Sequence, residues 1–203
     1  MRLVDCLRTG WIVYRRNPVR LSALAVALWF AELFASGVLA ALLPPRLAVP
    51  VLLLMLGLFE VGLLTCAQRA VSGETPRLSH ALEPFTTRQL DYALVVLAVS
   101  AGILFAFVGL FITLVLFMFA PLYVAEGRGA RDALVESARR VLGAPAQAAG
   151  LCALLACLKV VGVLSLGVGL IVTAPLSALV IVAAARAWPA PNPRPSAAVA
   201  LTR

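Results

Sequence analysis

The stretch that decides the fold is Tyr92–Ala125, YALVVLAVSAGILFAFVGLFITLVLFMFAPLYVA, which carries no charged side chain. As one helix it would be about 50 Å long at 1.5 Å per residue, against a hydrocarbon core of about 30 Å. As two helices turning near Gly109, each would be about 25 Å long, short but within reach of local membrane thinning. Charge placement arbitrates. Arg128, Arg131, Arg139 and Arg140 follow the stretch, while Arg2, Arg8, Arg15, Arg16 and Arg20 precede the first apolar run. Basic loops stay on the cytoplasmic side, so two crossings keep both clusters together and one crossing separates them. The sequence therefore predicts a hairpin, with spans at about 91–108 and 110–126.

The same reading extends outward along the chain. Further apolar runs lie at about 21–43, 47–67, 146–166 and 168–187, with turns at Pro44-Pro45-Arg46 and around Gly167. All three outer loops are then tiny, and Arg46 is their only basic residue. Trp11, Tyr14, Tyr92, Tyr123 and Trp188 fall near the inner boundary, where aromatic belts form. The expected fold is an all-α integral membrane protein of six transmembrane helices arranged as three hairpins. Residues 1–188 form the bundle, and the Pro/Ala-rich segment 189–203 is a disordered cytoplasmic tail. The expected place is a bacterial inner membrane, with both termini in the cytoplasm.

Composition supports a lipid environment. The 203 residues are 63% hydrophobic and only 13% charged, and the mean hydropathy is +1.02. A soluble domain needs about a quarter of its residues charged to face water. The net charge of +8 rests on Arg, with Lys159 the only lysine. Aromatic and basic residues do not interleave on a soluble module, so nucleic acid is not an expected partner. Cys6, Cys66, Cys152 and Cys157 show no CxxC spacing, and His80 stands alone, so neither disulfide nor zinc site is expected. The polar lead and Leu21–Leu43 are both too long for a signal peptide, which leaves an uncleaved first helix despite a weak cleavage pattern at Val38-Leu39-Ala40.

Each hairpin is preceded by a short amphipathic segment on the cytoplasmic face. Leu3, Leu7, Trp11 and Tyr14 share one helical face; so do Leu78, Ala81, Leu82 and Phe85, and Ala130, Leu134, Ala138 and Val141. Such helices either lie in the interface with Arg near anionic headgroups, or pack on the bundle as its inner rim. On the first reading Arg8, Arg15, Arg16, Arg139 and Arg140 contact anionic lipid of the inner leaflet.

Ionisable groups inside a membrane each need a reason. Glu32, Glu60 and Lys159 fall within spans, Glu32 near mid-depth, Glu60 somewhat inward of it and Lys159 somewhat outward. All three are expected to face the bundle interior, since lipid exposure costs about 3 kcal/mol or more each. They form either a proton, ion or substrate site, or a buried Glu–Lys pair that fixes helix register beside a neutral second Glu. Pro50, Pro121 and Pro175 read as kinks in the even-numbered spans. No HExxH, GxSxG or Walker pattern occurs, and Gly167-Val168-Gly169 lacks the spacing of a phosphate loop. No catalytic group, cofactor or metal ligand is therefore expected.

Several landmarks carry a resemblance: Gly10-Trp11-Ile12 with Asn17-Pro18; Gly73 followed by Leu78–Phe85; Ala120-Pro121-Leu122-Tyr123, then Gly127 and Ala133-Leu134-Val135-Glu136-Ser137; and a final Gly167-Val168-Gly169-Leu170 with Ala174-Pro175-Leu176. Together they resemble a group of uncharacterised bacterial multi-pass inner-membrane proteins. That group is similar to the membrane domain fused to some glycerophosphodiester phosphodiesterases. The resemblance implies a helical bundle and transfers no catalytic residues. The expected role is a non-catalytic scaffold, accessory subunit or envelope-maintenance factor with a protein partner on the cytoplasmic face or in the membrane. The alternative is a small transporter or channel using Glu32, Glu60 and Lys159. Lipid handling at the inner leaflet is a third reading.

Overall fold

Proline and glycine set the punctuation of this chain. The computed structural model describes residues 2–86, 89–101, 112–165 and 168–188. Its helices are α1 (Leu3–Arg16), α2 (Pro18–Leu42), α3 (Pro45–Val71), α4 (Leu78–Ala81), α5 (Glu83–Thr86), α6 (Gln89–Ala101), α7 (Ala120–Ala125), α8 (Ala130–Gly143), α9 (Pro145–Leu164) and α10 (Leu170–Ala187). No strand occurs among the described residues. Pro18, Pro45 and Pro145 stand in the first turns of α2, α3 and α9, where the missing amide hydrogen would be unpaired anyway.

Among the described residues three helices are long and apolar enough to cross a membrane: Pro18–Leu39 within α2, α9 and α10. The 27-residue α3 is about 40 Å long. Helix α6 covers the first part of the expected span 91–108, and the turn near Gly109 lies outside the described residues. So do Leu166, Gly167 and the tail 189–203.

Helix α10 is the hub and packs against α1, α2, α3 and α9. It is apolar on all sides, as a helix surrounded by protein should be, and every residue from Thr173 to Val180 is buried. The amphipathic α1 does not lie apart at the interface. It buries Cys6, Gly10, Val13 and Tyr14, largely on α10. A Cβ on Gly10 would stand 3.1 Å from the Val180 side chain. Trp11, which the spacing puts on the apolar face with Tyr14, is 44% exposed. Burial pushes the Cys6 thiol up, and the Asp5 carboxylate adds to the shift.

Helices α3 and α7 end alike. Gly73 (φ 88°) and Gly127 (φ 98°) occupy the left-handed region that favours glycine. Glu74 N–H donates to Arg69 C=O and Gly73 N–H to Ala70 C=O; Arg128 N–H donates to Tyr123 C=O and Gly127 N–H to Val124 C=O. These paired bonds close a Schellman motif at both ends. Each then turns the chain into an amphipathic segment.

Two expected continuous helices are interrupted. The segment Leu78–Phe85 is split into α4 and α5, with Leu82 between them. Pro84 has no amide hydrogen for the His80 carbonyl, and that oxygen instead accepts the Thr65 hydroxyl at 2.6 Å. The expected span 110–126 is described from Ile112, breaks into turn at Phe117–Phe119 and resumes as α7. Pro121 causes this break, which is sharper than the kink read from the sequence. At the break Ser137 donates to the Leu116 carbonyl (2.7 Å) and accepts from Phe119 N–H (3.2 Å).

Helix α8 has no cap from its own flank, since Gly129 precedes it. Asp91 at the start of α6 supplies one, accepting from Ala130 N–H at 3.0 Å. A carboxylate there also meets the positive end of the helix dipole. Asp91→Ala is expected to cost about 1 kcal/mol, the usual value of a lost N-cap, while Asp91→Asn keeps most of the bond. Hydrogen exchange should rise in the first turn of α8 for the Ala variant alone; equal protection in both would remove the cap from the account.

Candidate functional site

The ionisable groups that the sequence places within its expected spans come together. Lys159 on α9 donates to Glu60 Oε1 on α3 at 2.8 Å. Glu32 on α2 lies within electrostatic range of both. Measured at 1.5 Å per residue from Pro18, Val71 and Pro145, the helix ends that the sequence reading assigns to the cytoplasm, the three stand about 17–21 Å along their helices. A common depth is what a joint role requires.

Their direction differs from the expectation. Glu60 and Lys159 are 58% and 46% exposed, so the pair is not enclosed by the bundle. Helix α9 is an edge helix that buries only Ala148, Leu151 and Gly162, while Val160, Val161, Val163 and Leu164 remain exposed. Lys159 sits on the flank of that buried stripe. Glu32 is half-buried. The arrangement is a mid-depth charge pair on an open side of α3 and α9, with a second carboxylate beside it.

The candidate lipid-contacting arginines divide into two groups. Arg8, Arg15 and Arg16 are exposed along α1. Arg139 and Arg140 are engaged by Glu136 at 3.5 and 2.9 Å. Arg140 also lies over the Tyr123 ring, 5.2 Å from its centre, with Arg128 at 5.0 Å. The Trp188 indole N–H donates to the Arg140 carbonyl at 2.9 Å, and its ring meets Phe119 edge-on at 4.9 Å. This knot ties the ends of α7, α8 and α10 together. Arg140 therefore holds the rim, with little left for a headgroup.

A second polar cleft lies at the C-terminal end of α3. It is lined by Thr65, Gln68, Arg69, Ser72, Glu83 and Ala125 and has a volume of about 130 Å³. Arg69 contacts Glu74 at 3.5 Å and Glu83 at 3.8 Å. Arg186 reaches across from α10 to Ser72 Oγ at 2.6 Å and the Val71 carbonyl at 3.3 Å. The cleft is well below the volume of ordinary ligand pockets, about 300 Å³ upward. Among the described residues no three His, Cys, Asp or Glu side chains are grouped to hold a metal.

Asp91 is a structurally decisive polar residue that the sequence did not single out; Ser137 stood out there only in the resemblance motif and as a packing residue, and Thr65 as a donor to backbone carbonyls, which it is. Pro84 and Pro121 were the available signals, since each proline frees a carbonyl that some donor must satisfy. Comparison with known families finds no matching family model. Neither the curated proteins nor the solved structures contain a match to this chain.

Proposed function

We propose that the chain is a six-span bacterial inner-membrane protein with both termini in the cytoplasm, acting as a non-catalytic scaffold or accessory subunit. The observation that carries this reading is the locked cytoplasmic rim. Helix α1 is seated on α10, α4 is held to α3 by Thr65, and α8 is fixed by Asp91, Ser137 and Trp188. A rim held at so many points presents a constant basic face, which suits a partner or a leaflet of anionic lipid. Alternating access needs one group of helices to rock against another, and this rim ties the same ends together. The likeness to uncharacterised inner-membrane proteins fits the same reading.

The co-location of Glu32, Glu60 and Lys159 favours a second reading, a small ion transporter. Reconstitution separates the two. On the scaffold reading, proteoliposomes show proton and monovalent-cation flux equal to that of empty liposomes, for wild type and Glu60→Gln alike. Flux above that baseline that disappears in Glu60→Gln would replace the scaffold with a transporter.

A further inference from the structure

A groove of about 630 Å³ opens between the first turns of α2 and the segment that leads from α3 into α4. One wall is a single helix face. Arg20, Ala23, Leu24 and Ala27 follow one another at the i, i+3, i+4, i+7 spacing that aligns side chains on a helix. The facing wall carries Arg77 with Pro76 and Leu78. Charge is therefore confined to the cytoplasmic end, and about 10 Å of small apolar surface runs from it towards mid-membrane.

We infer that this groove binds one anionic phospholipid of the cytoplasmic leaflet, with its phosphate between Arg20 and Arg77 and an acyl chain along Ala23, Leu24 and Ala27. Both guanidinium groups are exposed, and among the described residues neither has a carboxylate partner. Glu74, the nearest acid in sequence to Arg77, is turned to Arg69. No carboxylate lines the groove. Planar guanidinium forks match phosphate oxygens in pairs, and two of them leave a surplus positive charge that a zwitterionic headgroup's own ammonium would oppose.

The second wall is built rather than loose. The Arg77 carbonyl accepts a weak bond from Cys66 Sγ at 3.7 Å, and the His80 carbonyl accepts from Thr65. A Cβ on Gly62 would overlap the Ala81 carbonyl oxygen, so α4 lies directly on the α3 backbone. Pro76 is buried. The groove thus keeps its width without a ligand. Its apolar lower half gains only from a ligand with a chain, which selects a lipid over a free phosphate.

The depth of the groove rests on the six-span reading of α2 and α3. Native mass spectrometry of protein extracted from bilayers of phosphatidylglycerol and phosphatidylcholine provides the test. Wild type is expected to retain one phosphatidylglycerol with a preference of about tenfold or more over phosphatidylcholine, the scale of two arginines near a phosphate. Arg20→Gln/Arg77→Gln should lose that preference, and Arg20→Lys/Arg77→Lys, which keeps the charge without the forks, should keep part of it. Ala27→Trp should displace the lipid with both arginines intact. Arg131→Gln, an exposed charge on α8, should change nothing. A preference unaffected by the double Gln variant, or lost equally in Arg131→Gln, would overturn the site. Displacement by inorganic phosphate with full retention in Ala27→Trp would make it an ion site. Protein that inserts into bilayers and ignores phosphatidylglycerol removes the lipid site and leaves the six-span reading standing.

Discussion

Ser137→Ala is expected to lower the stability of the folded protein by about 2–4 kcal/mol, because the buried Phe119 N–H loses its partner at about 1–3 kcal/mol and the half-buried Leu116 carbonyl loses its own at about 1 kcal/mol. Ser137 is 0% exposed, and so are Phe119, Ala120 and Val124 around it. Its hydroxyl donates to the Leu116 carbonyl and accepts from Phe119 N–H. The break imposed by Pro121 sends Ala120 N–H to Phe117 C=O instead of Leu116 C=O. Alanine leaves no atom in place of the hydroxyl to satisfy either group. Ser137→Thr and Ser137→Val add the same bulk, so their difference isolates the oxygen. Thr should retain more of the stability than Val. Unfolding by titrated denaturing detergent in mixed micelles reads all three. A loss below about 0.5 kcal/mol in Ser137→Ala, the range of an ordinary surface change, would show that the hydroxyl does not hold the break.

Periodicity made the helical outline of this chain legible. The rim helices stand where the amphipathic spacing put them, at Leu3–Arg16, in the segment after Gly73, and at Ala130–Gly143. What the spacing could not supply was their partners. A helix shows the same amphipathic pattern whether its apolar face meets lipid or another helix. For α1 the answer lies in Val180, distant in sequence, and in Gly10, which lets the two backbones approach. Small residues such as Cys6 and Gly10 contribute little to an apolar stripe, so the large Trp11 drew the predicted face towards itself. The glycines and prolines of the resemblance motifs turn out to be structural devices: Gly73 and Gly127 end helices, and Pro121 opens a break that Ser137 fills. Their spacing therefore speaks to architecture.

Depth along a helix was legible only approximately, and direction around it was not. Counting from helix starts put Glu32 near mid-depth, Glu60 somewhat inward of it and Lys159 somewhat outward, whereas the structure brings Lys159 onto Glu60 at 2.8 Å. The rotation of α9 is set by Ala148, Leu151 and Gly162 against its neighbours, and a Cβ on Gly162 would overlap the Thr173 hydroxyl. That contact fixes which side Lys159 faces, and it is a tertiary fact with no local signature.

Lys159→Met is expected to destabilise the protein in a bilayer by about 3 kcal/mol, the cost of leaving an intramembrane charge without its partner. The pair is 2.8 Å long and half exposed. In water such a pair contributes about 0–1 kcal/mol, because solvent screens both charges. At mid-depth in lipid the screening is gone, and Glu60 would be left beside a second carboxylate, Glu32. Glu60→Gln/Lys159→Met removes both charges and should recover most of the loss. The double-mutant cycle, measured as reversible unfolding in bilayer nanodiscs, gives the coupling directly. A coupling near 3 kcal/mol means that lipid or another protein closes over the pair, as a scaffold with a membrane partner requires. A coupling of about 0.5 kcal/mol or less means that water reaches 17–21 Å into the membrane between α3 and α9. A scaffold has no use for such an aqueous crevice, and a transporter cannot work without one.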